Sequence, residues 1–241
     1  MKKLVIGTDN NIDKNILEKL SEAGFDLEIV PELNKSDIGI GENYRGNAGY
    51  VLYFAEDLTP EYCQHVLNRK LGRPDTILET DRCIVREESM GDLDELYKLY
   101  DSLKDCPFVE KLYERDEEEE FTRNYIDNMY RFFDYGLWLV FDKATGQLVG
   151  RIGIENRDID GQICQELGYL IGQKFQRKHI GYEVCKAIMS YARDNLGIKR
   201  LYSCIDKNNI PSIGLIEKLG FSLYDSDIDG INIYYIDLQI K

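Results

Sequence analysis

Apolar positions along the chain fall into two alternating patterns. Short runs of four to eight residues predict strands, and longer stretches with apolar residues three or four apart predict helices. The first third alternates the two. KKLVIG (2–7), DLEIV (26–30) and GYVLYFA (49–55) read as strands. NNIDKNILEKLSEAGF (10–25) carries Ile16, Leu17, Leu20 and Ala23 at helical spacing and stops at Gly24, a C-cap residue type. LTPEYCQHVLNRKLG (58–72) reads as a helix with Pro60 in its first turn. LGRPDTILETD (71–81) reads as an exposed connector. The glycine-rich IGIGENYRGNAG (38–49) matches neither common nucleotide-loop spacing and reads as turns.

From about residue 82 the pattern changes. RCIVREE (82–88) predicts a strand. MGDLDELYKLYDSL (90–103) predicts a helix with Leu93, Leu96, Tyr97, Tyr100 and Leu103 on one face. RDEEEEFTRNYIDNMYRFF (115–133) predicts a second amphipathic helix, its Glu117 to Glu120 a solvated first turn favoured by the helix dipole. LWLVFDKATGQLVGRIGIE (137–155) and RDIDGQICQELGYLIG (157–172) predict an antiparallel meander. IGYEVCKAIMSYARDNLG (180–197) is a helix, IKRLYSCID (198–206) a strand and NNIPSIGLIEKLG (208–220) a shorter helix. The segment from Phe221 closes as a hairpin. No internal repeat is present.

The 241 residues carry a formal net charge of −14. That disfavours nucleic acid and anionic membranes as partners and mildly favours cationic substrates. No run of 18 apolar residues predicts a membrane span, and the apolar stretch at the start is too short for a signal peptide. Six cysteines lie scattered without a C-x-x-C pair, and there are two histidines, so no metal site is expected. A cytoplasmic chain with reduced thiols is the expectation.

Chemistry concentrates after the meander. The run ELGYLIG leads through QKFQRKH into the helix starting at Ile180. A helix N-terminus offers unpaired N–H groups and the positive end of a dipole, which suit a phosphate. Arg177 and Lys178 add charge, and Gly181 allows close approach. Further on, Asn209 and Ser212 open a helix that ends in KLGF, with Asn209 a natural N-cap and Gly220 a C-terminal stop.

Together these two elements resemble the GNAT superfamily of acyl-CoA-dependent N-acetyltransferases. The family's pyrophosphate signature, Q/R-x-x-G-x-G/A, is met by QRKHIG at Gln176 and Gly181. Its later signature is met at Asn209, Ser212, Leu215, Lys218, Gly220 and Phe221. The look is nearest to the branch that contains ribosomal-protein N-terminal acetyltransferases. The resemblance covers roughly residues 80–241. It implies two domains: a small α/β unit of open role over 1–78, and a GNAT-like N-acetyltransferase domain over 79–241. The fold class it implies for the latter is a mixed, mostly antiparallel central sheet flanked by helices.

The resemblance further implies acetyl-CoA as cosubstrate, with no metal, and direct attack by a primary amine of a small molecule or a protein N-terminus. It places Tyr169, Leu170 and Ile171 along the pantetheine arm. Gln176, Arg177, Lys178, His179, Ile180, Gly181 and Tyr182 fall around the pyrophosphate, and Asn209 and Ser212 on the pantetheine or adenine side. An N–H near Ile171 would meet the oxyanion. Glu166 and Glu155, read as lying at strand ends, are the candidate general bases, because an ammonium must lose a proton before it can attack. Cys204, where some relatives carry an acid, reads as a buried small hydrophobe.

Two positions depart from the family pattern. His179 stands where a glycine is expected, and Ile216 stands where a tyrosine often protonates the leaving thiolate. Tyr169, Tyr182, Tyr202 and Tyr224 are the candidates to replace it. The competing reading is a non-catalytic acyl-CoA-binding module. The N-terminal unit's role stays open between shaping acceptor access, a homodimer contact and a ligand of its own.

Overall fold

The computed structural model describes residues 2–239, apart from the side chains of Asp227 and Ile228. The chain divides after Asp75 into two compact units.

The first unit is a four-stranded parallel sheet. β1 (Lys2–Gly7) is flanked by β2 (Phe25–Val30) and β3 (Ser36–Ile40), with β4 (Ala48–Leu52) outside β3. α1 (Lys14–Glu22) starts at Asp13, whose side chain accepts the Asn15 N–H at 2.7 Å. α2 (Pro60–Lys70) starts at Thr59, with Pro60 at its head. Leu4, Ile6, Ile38 and Ile40 form one core with Leu20, Cys63, Val66 and Leu67 of the helices. β3 corrects the sequence reading of residues 38–49: Ile38 and Gly39 pair with both β1 and β4, Ile40 pairs with β4, and the turn begins only at Gly41.

The second unit is an eight-stranded sheet. In chain order its strands are β5 (Thr76–Glu79), β6 (Cys83–Arg86), β7 (Leu137–Asp142), β8 (Leu148–Ile159), β9 (Gln162–Ile171), β10 (Arg200–Asp206), β11 (Ser222–Ile228) and β12 (Ile231–Asp237). Their spatial order is β11-β12-β10-β9-β8-β7-β6-β5, antiparallel throughout except for the parallel neighbours β9 and β10. β5 replaces part of the expected connector: Thr76 to Glu79 are paired as an edge strand.

The helices are α3 (Leu93–Asp101), α4 (Arg115–Tyr125), α5 (Ile180–Asp194) and α6 (Ile210–Leu219). α3 buries Leu93, Leu96 and Leu99, and α5 buries Ile180, Val184, Cys185, Ile188 and Ala192. The predicted helix over 115–133 changes character midway. After Tyr125 the turns widen into a π-helix, Ile126–Phe133, which ends at Asp134 with φ +59°. Glu118 is not solvated as expected. It is 2% exposed, and its Oε2 accepts the Tyr113 N–H at 2.9 Å. All six cysteines are free.

Candidate active site

β9 and β10 run side by side but share one register pair among the described residues, Glu166 opposite Tyr202. Beyond it the strands diverge. On its other edge β9 is fully paired with β8, from Gln162 opposite Ile159 to Ile171 opposite Gly150. Gly172 donates to Val149 at 2.9 Å. By the alternation of an antiparallel ladder, Leu170 and Gly168 then spend their backbone groups on β8, while Leu167, Tyr169 and Ile171 aim theirs at β10. Two contacts agree: the Leu167 carbonyl accepts from Ser203 Oγ at 3.3 Å, and the Ile171 carbonyl accepts from Gln176 Nε2 at 2.9 Å. The Tyr169 and Ile171 N–H groups thus face an unfilled gap.

The loop after β9 turns at the mouth of this gap. Arg177 and His179 both adopt the left-handed region, at φ +59° and +63°. His179, at the position where the resemblance leads one to expect glycine, thus takes a conformation that favours glycine. An L-residue there costs about 1–2 kcal/mol. α5 follows at once, its first intrahelical acceptor being the His179 carbonyl to Glu183 N–H at 3.1 Å. No acceptor among the described residues takes the backbone N–H groups of 177 through 182. Successive N–H groups in such a turn, at the head of a fifteen-residue helix, form a cradle for an anion.

The loop is held from outside by a residue that sequence reasoning missed. Arg82 donates from Nη1 to the Lys178 carbonyl at 2.9 Å and from Nε to Glu183 Oε2 at 2.6 Å, while its N–H meets Glu183 Oε1 at 3.1 Å. Burial works to raise the Glu183 carboxyl, but hydrogen bonds from Thr80 and Arg82 hold it below the usual carboxylate range. The partners lie 101 positions apart, so no local pattern announces them.

The structure sorts the other expected cofactor residues. Gln176 is an anchor, its amide spent on Ile171. The Lys178 ammonium lies 5.5 Å over the Phe175 ring. Ile180 is 4% exposed and packs in the core, leaving only its N–H for a ligand. A Cβ on Gly181 would stand 3.5 Å from both Ile171 and Leu215, between β9 and α6. Tyr182 lies half-buried under Lys218, whose Nζ is 5.1 Å from its ring centre. Leu170 does not join this group: its side chain packs with Leu96, Leu99, Leu139 and Leu148 on the opposite face, and its backbone belongs to β8. Asn209 caps α6, its Oδ1 3.4 Å from the Ser212 N–H. Tyr169 crosses the gap, its hydroxyl donating to the Ser212 carbonyl at 3.0 Å. Burial raises that phenol's pKa well above its ordinary value. Ile216 is fully buried in the core, and Tyr202 and Tyr224 stack edge-to-face on each other at 5.7 Å.

The two carboxylates are not at strand ends. β8 continues to Ile159, so Glu155 and Glu166 sit within the hairpin, directly opposite each other and on the face away from Tyr169 and Ile171. Glu166 accepts the Cys204 N–H at 2.8 Å, taking the place of the next rung where the strands part, and Arg157 lies 3.7 Å from its other oxygen. Burial, opposed by that N–H and by Arg157, leaves its pKa raised. The Cys204 thiol is pushed up to about 12, mainly by burial, so it stays protonated at neutral pH. Glu155 Oε1 accepts from the Tyr125 hydroxyl at 3.2 Å. Its Oε2 lies 3.9 Å from where a Cβ on Gly168 would stand, beside the start of the gap.

Residues 82–222 match the model of the acetyltransferase (GNAT) domain. The chain belongs to the GNAT acetyltransferase family. An uncharacterized protein of Bacillus subtilis (strain 168), YkkB, is 30% identical over 148 residues, which are 60% of this chain and 84% of YkkB. Among solved structures, the ribosomal-protein-S5-alanine acetyltransferase from Vibrio fischeri aligns with a TM-score of 0.56 at 14% identity, over 68% of this chain and 98% of its own. RimL, a ribosomal L7/L12 alpha-N-protein acetyltransferase solved in complex with coenzyme A, aligns with a TM-score of 0.58 at 16% identity, over 69% of this chain and all of its own. At these identities the likeness to the solved structures is one of fold.

Proposed function

We propose that the chain is an N-acetyltransferase that moves the acetyl group of acetyl-CoA to a primary amine. The observation that carries this reading is the divergence of β9 from β10 beside the unaccepted N–H groups of 177–182. An open strand edge and an anion cradle stand a few residues apart, as an extended pantetheine arm ending in a pyrophosphate requires. The RimL structure holds coenzyme A, which supports the choice of ligand.

When bound, acetyl-CoA supplies an acyl thioester. The residues here would do the rest. The backbone N–H groups of 177–182 hold the pyrophosphate, and Arg177 adds charge at the rim. The Tyr169 and Ile171 N–H groups face the gap, where an amide can pair with them and one can steady the developing oxyanion. The acceptor enters from the face that carries Glu155 and Glu166, whose paired negative charge favours an ammonium. Glu155 is assigned as the base because its Oε2 is uncommitted, whereas Glu166 is tied to the Cys204 N–H. Glu155 takes one proton from the ammonium, the freed nitrogen bonds to the acyl carbon, and the carbon–sulfur bond breaks to release a thiolate. The second proton left on that nitrogen passes to the sulfur, giving the amide and the free thiol. Tyr169, whose hydroxyl lies in the gap, is assigned as the relay that gives its proton to sulfur and regains one from nitrogen, in place of the tyrosine absent at Ile216.

The acceptor class is a small amine or a protein N-terminus. The latter is supported by the likeness to RimL, a ribosomal L7/L12 alpha-N-protein acetyltransferase, and to the ribosomal-protein-S5-alanine acetyltransferase of Vibrio fischeri. A cytoplasmic setting fits the free cysteines. The test is release of free thiol from acetyl-CoA, measured across a panel of polyamines, aryl-alkylamines and peptides with free N-termini. Turnover with any of them supports the reading. Acetyl-CoA binding with no turnover across the panel favours the binding-module alternative.

A further inference from the structure

The face of the sheet that carries Glu155 holds a buried polar cluster that the family signatures do not touch. Tyr125 is at its centre. Its hydroxyl accepts the Leu137 N–H at 2.7 Å and donates to Glu155 Oε1 at 3.2 Å. Because one hydroxyl proton exists and a backbone N–H already occupies a lone pair, that proton has one direction to point, toward the carboxylate. The ring is fixed from two sides. Tyr130 packs edge-on against it, ring centres 5.6 Å apart, and is locked by its own hydroxyl donating to the Leu137 carbonyl at 2.5 Å. Arg151 stacks its guanidinium 5.1 Å from the Tyr125 ring centre. Arg151 is in turn held by Glu88 at 3.0 Å, a pair whose side chains are 8% and 1% exposed.

The π-helix explains how two tyrosines five positions apart meet. In an α-helix, residues i and i+5 point in different directions. In a wider turn with i to i+5 bonds they stack. The helix leaves regular geometry at Ile126, directly after Tyr125, and both rings then point at the start of β7. Gly136 is required there, since a Cβ would lie 2.7 Å from the Tyr130 ring and 3.0 Å from the Tyr125 hydroxyl. Wide turns of this kind gather at functional sites.

We propose that Tyr125 is the positioning residue of the catalytic base: its hydroxyl fixes Glu155 Oε1, so that Oε2 alone faces the acceptor amine beside Gly168. Arg151 and Glu88 serve by clamping the ring. This rests on the assignment of Glu155 as base. The charged and titratable groups facing the Tyr125–Glu155 pair are Glu166 across β9, Arg157 on the same strand, Arg151 and Glu88 behind the ring, and Tyr130 beside it.

The test is a double-mutant cycle of Tyr125→Phe and Glu155→Gln in the full chain, with the acceptor found by the panel. Tyr125→Phe keeps the ring against Arg151 and removes only the hydroxyl. Loss of its hydrogen bond to the carboxylate should lower kcat about 10-fold, the order of one hydrogen bond to a charged group. KM for acetyl-CoA should stay within about twofold of wild type. In the Glu155→Gln background, Tyr125→Phe should cost nothing more, since partners that act as one unit are not additive. If Glu155→Gln abolishes turnover but Tyr125→Phe leaves kcat unchanged, the positioning role falls and the base assignment stands. If Glu155→Gln turns over normally, both fall. If Tyr125→Phe fails to fold, Tyr130→Phe, which frees the neighbouring ring, should lower kcat by a smaller factor at unchanged KM for acetyl-CoA, and that loss should vanish in the Glu155→Gln background. An unchanged kcat there overturns the proposal.

Discussion

The two faces of β9 are built from different kinds of information. On one side, Tyr169, Ile171 and the 176–182 loop build the proposed cradle from fourteen consecutive residues of strand, turn and helix, 169–182. On the other, Glu155 is held by Tyr125 from a helix thirty positions away, and Tyr125 by Arg151 of β8, which is itself paired with Glu88 in the loop after β6. The first face is mostly backbone, and His179 reaches a left-handed conformation there without being glycine. The second is made of side chains, buried and mutually dependent, and should be fragile.

Substitutions on either face break that contrast or sharpen it. The largest effect is expected from Glu155→Gln, which should lower turnover by roughly 10²–10⁴-fold, the usual worth of a general base, with acetyl-CoA affinity unchanged by calorimetry. Next is Glu88→Ala. It leaves Arg151 charged and buried without its partner, and should cost about 3–5 kcal/mol in a urea-unfolding midpoint analysis. An unchanged midpoint would mean that water reaches the pair. Gly181→Glu should weaken coenzyme A at least about 100-fold by placing bulk and negative charge in the gap, on the scale of about 3 kcal/mol for burying an unpaired charge.

His179→Gly relieves a left-handed residue and should raise stability by about 1 kcal/mol at unchanged coenzyme A affinity. A fall in affinity would give the imidazole a role of its own. The smallest effect is that of Arg82→Ala, which removes a half-exposed clamp worth about 1 kcal/mol or less. Affinity for coenzyme A should drop a few-fold. The same clamp sets an acid limit. Glu183 has its folded pKa below the ordinary value, so its contribution is present above that value and is lost as pH falls through the folded one. In wild type, affinity should therefore weaken on acidification only below about pH 4, and Arg82→Ala should lose that inflection.

Most of the fold was legible in the sequence because its strands and helices each carry their own period. The strand, turn and helix start of the proposed cradle were legible too, since they are contiguous in the chain. What escaped depends on distant partners. β3 hid in a glycine-rich run because its pairing with β1 and β4 supplies the stability that its two glycine-separated isoleucines do not signal. Glu118 read as a solvated first-turn residue because the Tyr113 N–H that buries it lies in a loop. Glu155 and Glu166 read as strand ends because the polar NRD at 156–158 looks like a turn, although the hairpin turns at Asp160 and Gly161. Leu170 was grouped with its neighbours by adjacency, whereas strand alternation sends it to the opposite face. Tyr125 and Tyr130 could not be paired at all, since a period of five belongs to no regular pattern that a helix reading uses.

The most direct measurement is a calorimetric titration of the purified chain with acetyl-CoA. The account predicts saturable one-to-one binding in the micromolar range, about the lower part of ordinary KM values, with the heat abolished in Gly181→Glu. No saturable heat at millimolar acetyl-CoA would contradict it, leaving a chain that keeps the family's fold and a cradle that holds nothing.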